Sequence, residues 1–249
     1  MKAQSIDQVI RNLDEIIQES KENKSRLGYF PALYRKVTVE IKKGIEGNIF
    51  DDGERMERLD IIFANRYLEA FHQYKNAGNP TQAWKLTFDA AKKWRPIVLQ
   101  HLLLGMNAHI VLDLGIAAAQ SVDKQDLPTL RGDFDKINQI LASLLNDVQQ
   151  DLAEVWPLLK IFDLAAGDID ETLSRFGIEI ARGRAWQVAK EIAASPPAEV
   201  NAKIHKLDQE TYQLGKIILA PGKVFQLILL VIRLGELGTI PKTIATLED

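Results

Sequence analysis

Apolar residues recur at spacings of three and four along almost the whole chain, while strict alternation of apolar and polar positions is scarce. That period belongs to amphipathic helices rather than to strands. The first helix is expected from Ile6 to Lys24, with Ile6, Val9, Ile10, Leu13, Ile16 and Ile17 as its apolar stripe and Ser5 as its N-cap. A second follows "GYFP", from Pro31 to Gly47. A third opens at "FDDGERMERLD", with Asp51 or Asp52 as cap, and runs to "KNAGNP". The fourth is expected from Pro80 to Trp94, with proline in the first turn where the N–H has no partner anyway. The fifth runs from Pro96 to Gln120. A long helix from Leu130 to Trp156 is stopped by Pro157, another from Asp168 to Ala194 is stopped by "SPP", and a final pair, Glu199 to Leu219 and Val224 to Leu237, is split by "APGK". The expectation is an all-α chain, a multi-helix bundle of roughly eight to ten helices, with no repeat at a fixed period.

Composition narrows what such a bundle does. A chain of 249 residues with 46% hydrophobic and 26% charged residues can bury a core without disulfides or metal staples, so disorder is not expected. A single helical domain over 1–249 is the expectation. The absence of cysteine removes thiolate zinc sites, iron–sulfur clusters and cysteine nucleophiles. A net charge of -3 gives no general attraction to phosphate backbones or anionic lipid, and no basic run is obvious, so no nucleic-acid partner is expected. The N-terminus alternates charge with apolar residues and does not read as a secretory signal, which makes the cytoplasm the expected location. The most apolar run, "VFQLILLVI" from Val224 to Ile232, is bounded by Lys223 and Arg233 and falls short of the roughly 20 residues that cross a bilayer. It reads as a buried helix, and no transmembrane segment is expected.

The chemistry lies in polar residues on apolar faces. In "NAHIVLDLG", offsets of four and seven put His109 and Asp113 on one face with Leu102, Gly105 and Ile116. Asp60 falls in a stripe with Met56, Phe63, Ala64, Tyr67, Phe71 and Tyr74, where a carboxylate is costly unless paired or hydrogen-bonded. Arg184 shares a face with Leu173, Gly177, Ile180, Ala181 and Val188 and is the candidate countercharge, although Glu191 stands seven residues on as another partner. The economical arrangement brings Asp60, His109, Asp113 and Arg184 together. Such a cluster can orient an imidazole as acid/base, supply two metal ligands with Asp60 as a third, or only fix helix register.

Other patterns are weaker. His101 lies partly on the His109 face, His72 falls away from the Asp60 stripe, and His205 looks solvent-facing. No cofactor is favoured, and a divalent metal stays open. Trp94, Trp156 and Trp186 read as core anchors. "DDGER" at 51–55 and "NDVQQDLAE" at 146–154 loosely resemble the magnesium-binding motifs of isoprenoid cyclases, with Asn146, Gln150 and Glu154 at offsets of four. The first motif lacks its final aspartate and carries a glycine better suited to a helix start, and Gln150 replaces a hydroxyl residue.

At "RYLEAF", "LLGMNAHIVLDLG", "RAWQVA" and "GKIILAPG" the sequence resembles an uncharacterised bacterial family, domain of unknown function 5995, over about Leu33 to Glu236. Its most specific block is matched by Asn107, Ala108, His109, Asp113 and Leu114, and a second by Arg184, Ala185 and Trp186. The resemblance implies a helical domain and brings no reaction. The N-terminal helix, residues 1–26, lies outside it and reads as an appendage. The functional expectation is an enzyme of unassigned reaction on a small, partly apolar substrate, with His109, Asp113 and Asp60 as catalytic residues and Tyr67, Arg184 and Asn107 binding substrate. The alternatives are a scaffold that binds an apolar ligand or another protein, and a magnesium-dependent cyclase-like enzyme. Homo-oligomerisation is left open. A cleft reaching His109 would speak for the enzyme, and packed helices over it for the scaffold.

Overall fold

A computed structural model describes residues 2–137, 140–141, 177–236 and 238–248. Among them are ten α-helices and no strand. Helix α1 (Ile6–Glu22) starts where Ser5 accepts the Gln8 N–H, and it buries Val9, Leu13, Ile16 and Ile17. Helix α2 is Tyr29–Glu46 and α3 is Gly53–Lys75, the latter capped by Asp52, which accepts from Arg55 N at 2.9 Å. Helix α4 (Gln82–Ala91) is shorter than its apolar pattern suggests. It ends at Ala91, ahead of Pro96.

The middle of the fold is one helical rod: α5 (Val98–Met106), a π-helical segment (Asn107–Leu114) and α6 (Gly115–Ser121). By length and composition, Val98–Ser121 is the one single helix among the described residues apolar enough to cross a membrane. Its most apolar window is 78% buried inside the protein, as a core helix is. Two glycines let neighbours reach the rod. A Cβ on Gly105 would sit 2.2 Å from the Phe30 ring, and one on Gly115 would sit 2.5 Å from the Ala185 carbonyl oxygen. Helix α7 (Ile178–Ala193) therefore lies close on α6, while α8 (Pro197–Leu219) packs against α4 and the π segment.

Two outer helices close the described chain. Helix α9 (Lys223–Gly235) follows Gly222, whose φ of 106° suits glycine, and α10 (Ile240–Glu248) packs on α2 and α1. The "TIPKTIATLE" stretch that forms α10 had no place among the expected helices; Pro241 in its first turn was the available signal. Helix α9 also departs from expectation, because only Ile232 is buried and the rest of the apolar run is exposed or half-exposed. Trp94 is exposed as well, whereas Trp186 is buried. Most of the expected Leu130–Trp156 helix, the start of the expected Asp168–Ala194 helix, Trp156 and the "NDVQQDLAE" motif lie outside the described residues.

Candidate functional site

Three elements meet at His109. Helix α2 brings Phe30 and Tyr34, α3 brings Asp60, Phe63, Arg66 and Tyr67, and the π segment brings His109 and Asp113. Closing hydrogen bonds at i+5 rather than i+4 widens the turn, so an offset of four returns side chains to nearly one direction. His109 and Asp113 are consequently aligned. The imidazole stacks on Phe63 with ring centroids 3.6 Å apart and meets Tyr34 edge-on at 4.4 Å and Phe30 at 5.6 Å. It is 3% exposed.

Asp113 is held more tightly by others than by His109. Arg66 donates from Nε to its Oδ1 at 2.7 Å and Trp84 donates from Nε1 to its Oδ2 at 2.7 Å, whereas His109 Nδ1 lies 3.6 Å away. Neither ring nitrogen of His109 has a hydrogen-bond partner among the described residues. The same holds for the Tyr34 hydroxyl, the Tyr67 hydroxyl and Oδ2 of Asp60. Five buried polar atoms on α2, α3 and the π segment thus stand unsatisfied, each at a cost of about 1–3 kcal/mol.

Burial sets the protonation states there. Desolvation, reinforced by the charge of Glu57, raises the Asp60 carboxyl to about 7. The same loss of water pushes the Tyr34 and Tyr67 hydroxyls up and the His109 imidazole down, with Asp113 opposing the last shift. Near neutrality His109 is a neutral base and Asp60 is poised between acid and carboxylate. An Nδ1–H turned to Asp113 leaves the Nε2 lone pair free.

A cleft of about 650 Å³ opens beside this cage, lined by Arg66, Asp113, Trp84, Thr81 and Gln120 among others. It reaches Asp113 but stops short of His109.

His109, Asp113 and Tyr67 come together, while Asp60 is buried on the same face of α3 as Phe63 and Tyr67. Arg184 does not. Its side chain is 48% exposed and pairs with Glu191 at 3.2 Å and Glu210 at 3.9 Å, because α7 turns that face to water along α8. Asn107 points away from the cage too, donating from Nδ2 to the Thr211 carbonyl on α8 at 2.9 Å. It fastens two helices. Arg66 and Trp84, the partners of Asp113, were not singled out by pattern; a buried indole N–H demands an acceptor, yet nothing in the sequence says which. The neighbouring Arg182 is the buried arginine of α7, donating to the Phe134 carbonyl with its guanidinium 4.3 Å from the Phe134 ring centroid.

No group of three or more His, Asp or Glu side chains is placed to hold a metal ion among the described residues. His101 is buried against Tyr29, and His72 lines the cleft. The aspartates of "DDGER" serve the start of α3: Asp52 caps it, Asp51 pairs with Lys136 at 2.6 Å, and both backbone N–H groups donate to Asp133.

A family model described as "Family of unknown function (DUF5995)" matches residues 6–221. The chain belongs to this family. No curated protein and no solved structure matches it. The DUF5995 match takes in α1 and ends before α9.

Proposed function

We propose that the protein is an enzyme that moves protons on a small molecule held at His109. The observation that carries this reading is a set of four unpartnered polar atoms on the contacting rings of Tyr34, Tyr67 and His109, beside an open cleft, with Asp60 Oδ2 also unpartnered on the α3 face that carries Phe63 and Tyr67. A substrate bearing a carbonyl or hydroxyl group would satisfy them. Neutral His109 would accept a proton at Nε2, Asp113 would stabilise the resulting imidazolium, and protonated Asp60 would return a proton. The Arg66 Nη groups, which have no partner among the described residues, would hold an anionic substituent in the cleft. Entry requires Trp84 and Arg66 to shift, since they and Asp113 separate the cleft from the imidazole.

One observation favours a second reading. His109 is sealed and does not line the cleft, as in a core network or a pocket that binds without catalysis. The experiment is a thermal-shift screen of small carboxylic acids, phosphate esters and ketones, followed by turnover assays on the ligands found. The catalytic reading expects conversion of a ligand and a loss of roughly 10² to 10⁴ in rate for folded His109→Gln or Asp60→Asn. Binding without conversion, or conversion untouched by both substitutions, supports the second reading. A screen without any ligand would count against catalysis and against a binding pocket, and would leave a core network.

A further inference from the structure

Helix α9 is apolar on nearly every side. Ile228, Leu229 and Ile232 pack inward against the cluster of Ile17, Leu33 and Val98. Val224, Leu227, Val231 and Leu234, at offsets of three, four and three, form an outward stripe, with Val224, Leu227 and Leu234 at 72%, 66% and 69% exposed. A helix hydrophobic all round belongs in a core or against lipid. Its 13 residues rise about 20 Å, short of the roughly 30 Å hydrocarbon layer, so α9 is suited to lie in a bilayer interface rather than cross it.

The surroundings of this stripe are basic. Trp94, 51% exposed, touches the far end of α9: its carbonyl accepts from Arg233 Nε at 2.7 Å, and the guanidinium sits 5.3 Å from its ring centroid. Lys93 and Arg95, both exposed, flank it. Lys216 and the exposed Ile217 precede α9, Lys223 opens it, and residues 215–235 contain no Asp or Glu. Glu236, which follows directly, has its side chain covered and spent on Arg233 and the Val98 N–H. An exposed apolar stripe that Lys223 opens, with Trp94 and its basic neighbours Lys93 and Arg95 at the Arg233 end, complements an anionic bilayer surface. A second copy fits poorly, since a two-fold pairing of this face would set cations against cations, and residues 215–235 supply no carboxylate to separate them.

We propose that α9 and the 93–95 loop dock the protein on an anionic lipid surface, with Val224, Leu227, Val231 and Leu234 entering the boundary between headgroups and acyl chains. This inference is independent of the reading of His109. The test is co-sedimentation of the full chain with phosphatidylcholine vesicles and with vesicles of phosphatidylcholine and phosphatidylglycerol. Binding to the mixed vesicles at least about tenfold tighter than to the neutral ones, weakening with salt, is expected. The Leu227→Gln/Leu234→Gln double variant, with an unchanged helical circular dichroism spectrum, should lose about tenfold or more, as should Lys93→Gln/Arg95→Gln/Lys223→Gln. Absence of binding to either vesicle, or binding indifferent to both sets of substitutions, overturns the proposal. So does a dimer seen by light scattering that the leucine substitutions dissolve, which would assign the face to a second copy.

Discussion

Arg66 and His109 approach different oxygens of one carboxylate, and Arg66 is the closer: its Nε is 2.7 Å from Asp113 Oδ1, against 3.6 Å from His109 Nδ1 to Oδ2. Asp113 is therefore a charge neutralised from the cleft side, and the imidazole behind it is left with little hydrogen bonding of its own.

Removing that neutralisation is the most direct structural perturbation. Arg66→Ala leaves the buried Asp113 carboxylate with the Trp84 N–H alone, and a loss of roughly 3 kcal/mol is expected. Urea unfolding at pH 7 measures it. An unchanged midpoint would show that Asp113 does not depend on Arg66.

The helical period made the cage legible but not its wiring. Asp60, Tyr67, His109 and Asp113 lie on apolar faces because an offset of three or four fixes a direction on a helix, and direction toward the core is what the pattern encodes. Partners across helices are not encoded that way. Arg184 and Arg182 are two residues apart on one helix, and the apolar neighbours of Arg184 were a poorer guide than the tight approach of α7 to Gly115, which no single sequence displays. The "VFQLILLVI" run was misread for a related reason: apolar content says that a surface seeks cover, not which surface supplies it.

Arg182 and Arg184 should accordingly behave oppositely. Arg182→Ala, which strips the Phe134 carbonyl of its donor and the ring of its cation, should cost about 3 kcal/mol or more. Arg184→Ala should stay within about 0.5 kcal/mol, as for a solvated surface pair. Equal effects in thermal melts would contradict the placement of α7.

Asp60 should weaken the fold as pH rises. Its folded value of about 7 exceeds the unfolded value near 3.8, so the native state holds the extra proton and stability falls between about pH 4 and 7. Asp60→Asn should remove that decline and gain on the order of 4 kcal/mol at pH 8, less what the amide loses in packing. A variant less stable than the parent at pH 8 would mean that the carboxylate has a partner.

His101 acts with the opposite sign. Burial depresses it to about 3, so below pH 6.5 the unfolded chain takes up a proton that the native state refuses. Stability is lost as pH falls from about 6.5 toward 3, at up to about 1.4 kcal/mol per unit. Between pH 4 and 6.5 this rise with pH offsets the Asp60 decline. His101→Gln should therefore expose a steeper fall with rising pH, readable from urea midpoints across that range; an unaltered profile would place a proton on the native imidazole.

For the proposed chemistry, small molecules must reach His109 through the Arg66–Trp84 side while the protein stays folded. Diethyl pyrocarbonate labelling at pH 6, mapped residue by residue by mass spectrometry, tests it, because His101 is as buried as His109 but does not adjoin the Asp113 cleft. Labelling of His109 at least about tenfold faster than His101, at urea concentrations well below unfolding, is the expected result. Equal rates for the two, both tracking global unfolding, would contradict it and leave the His109 cage as a sealed part of the core.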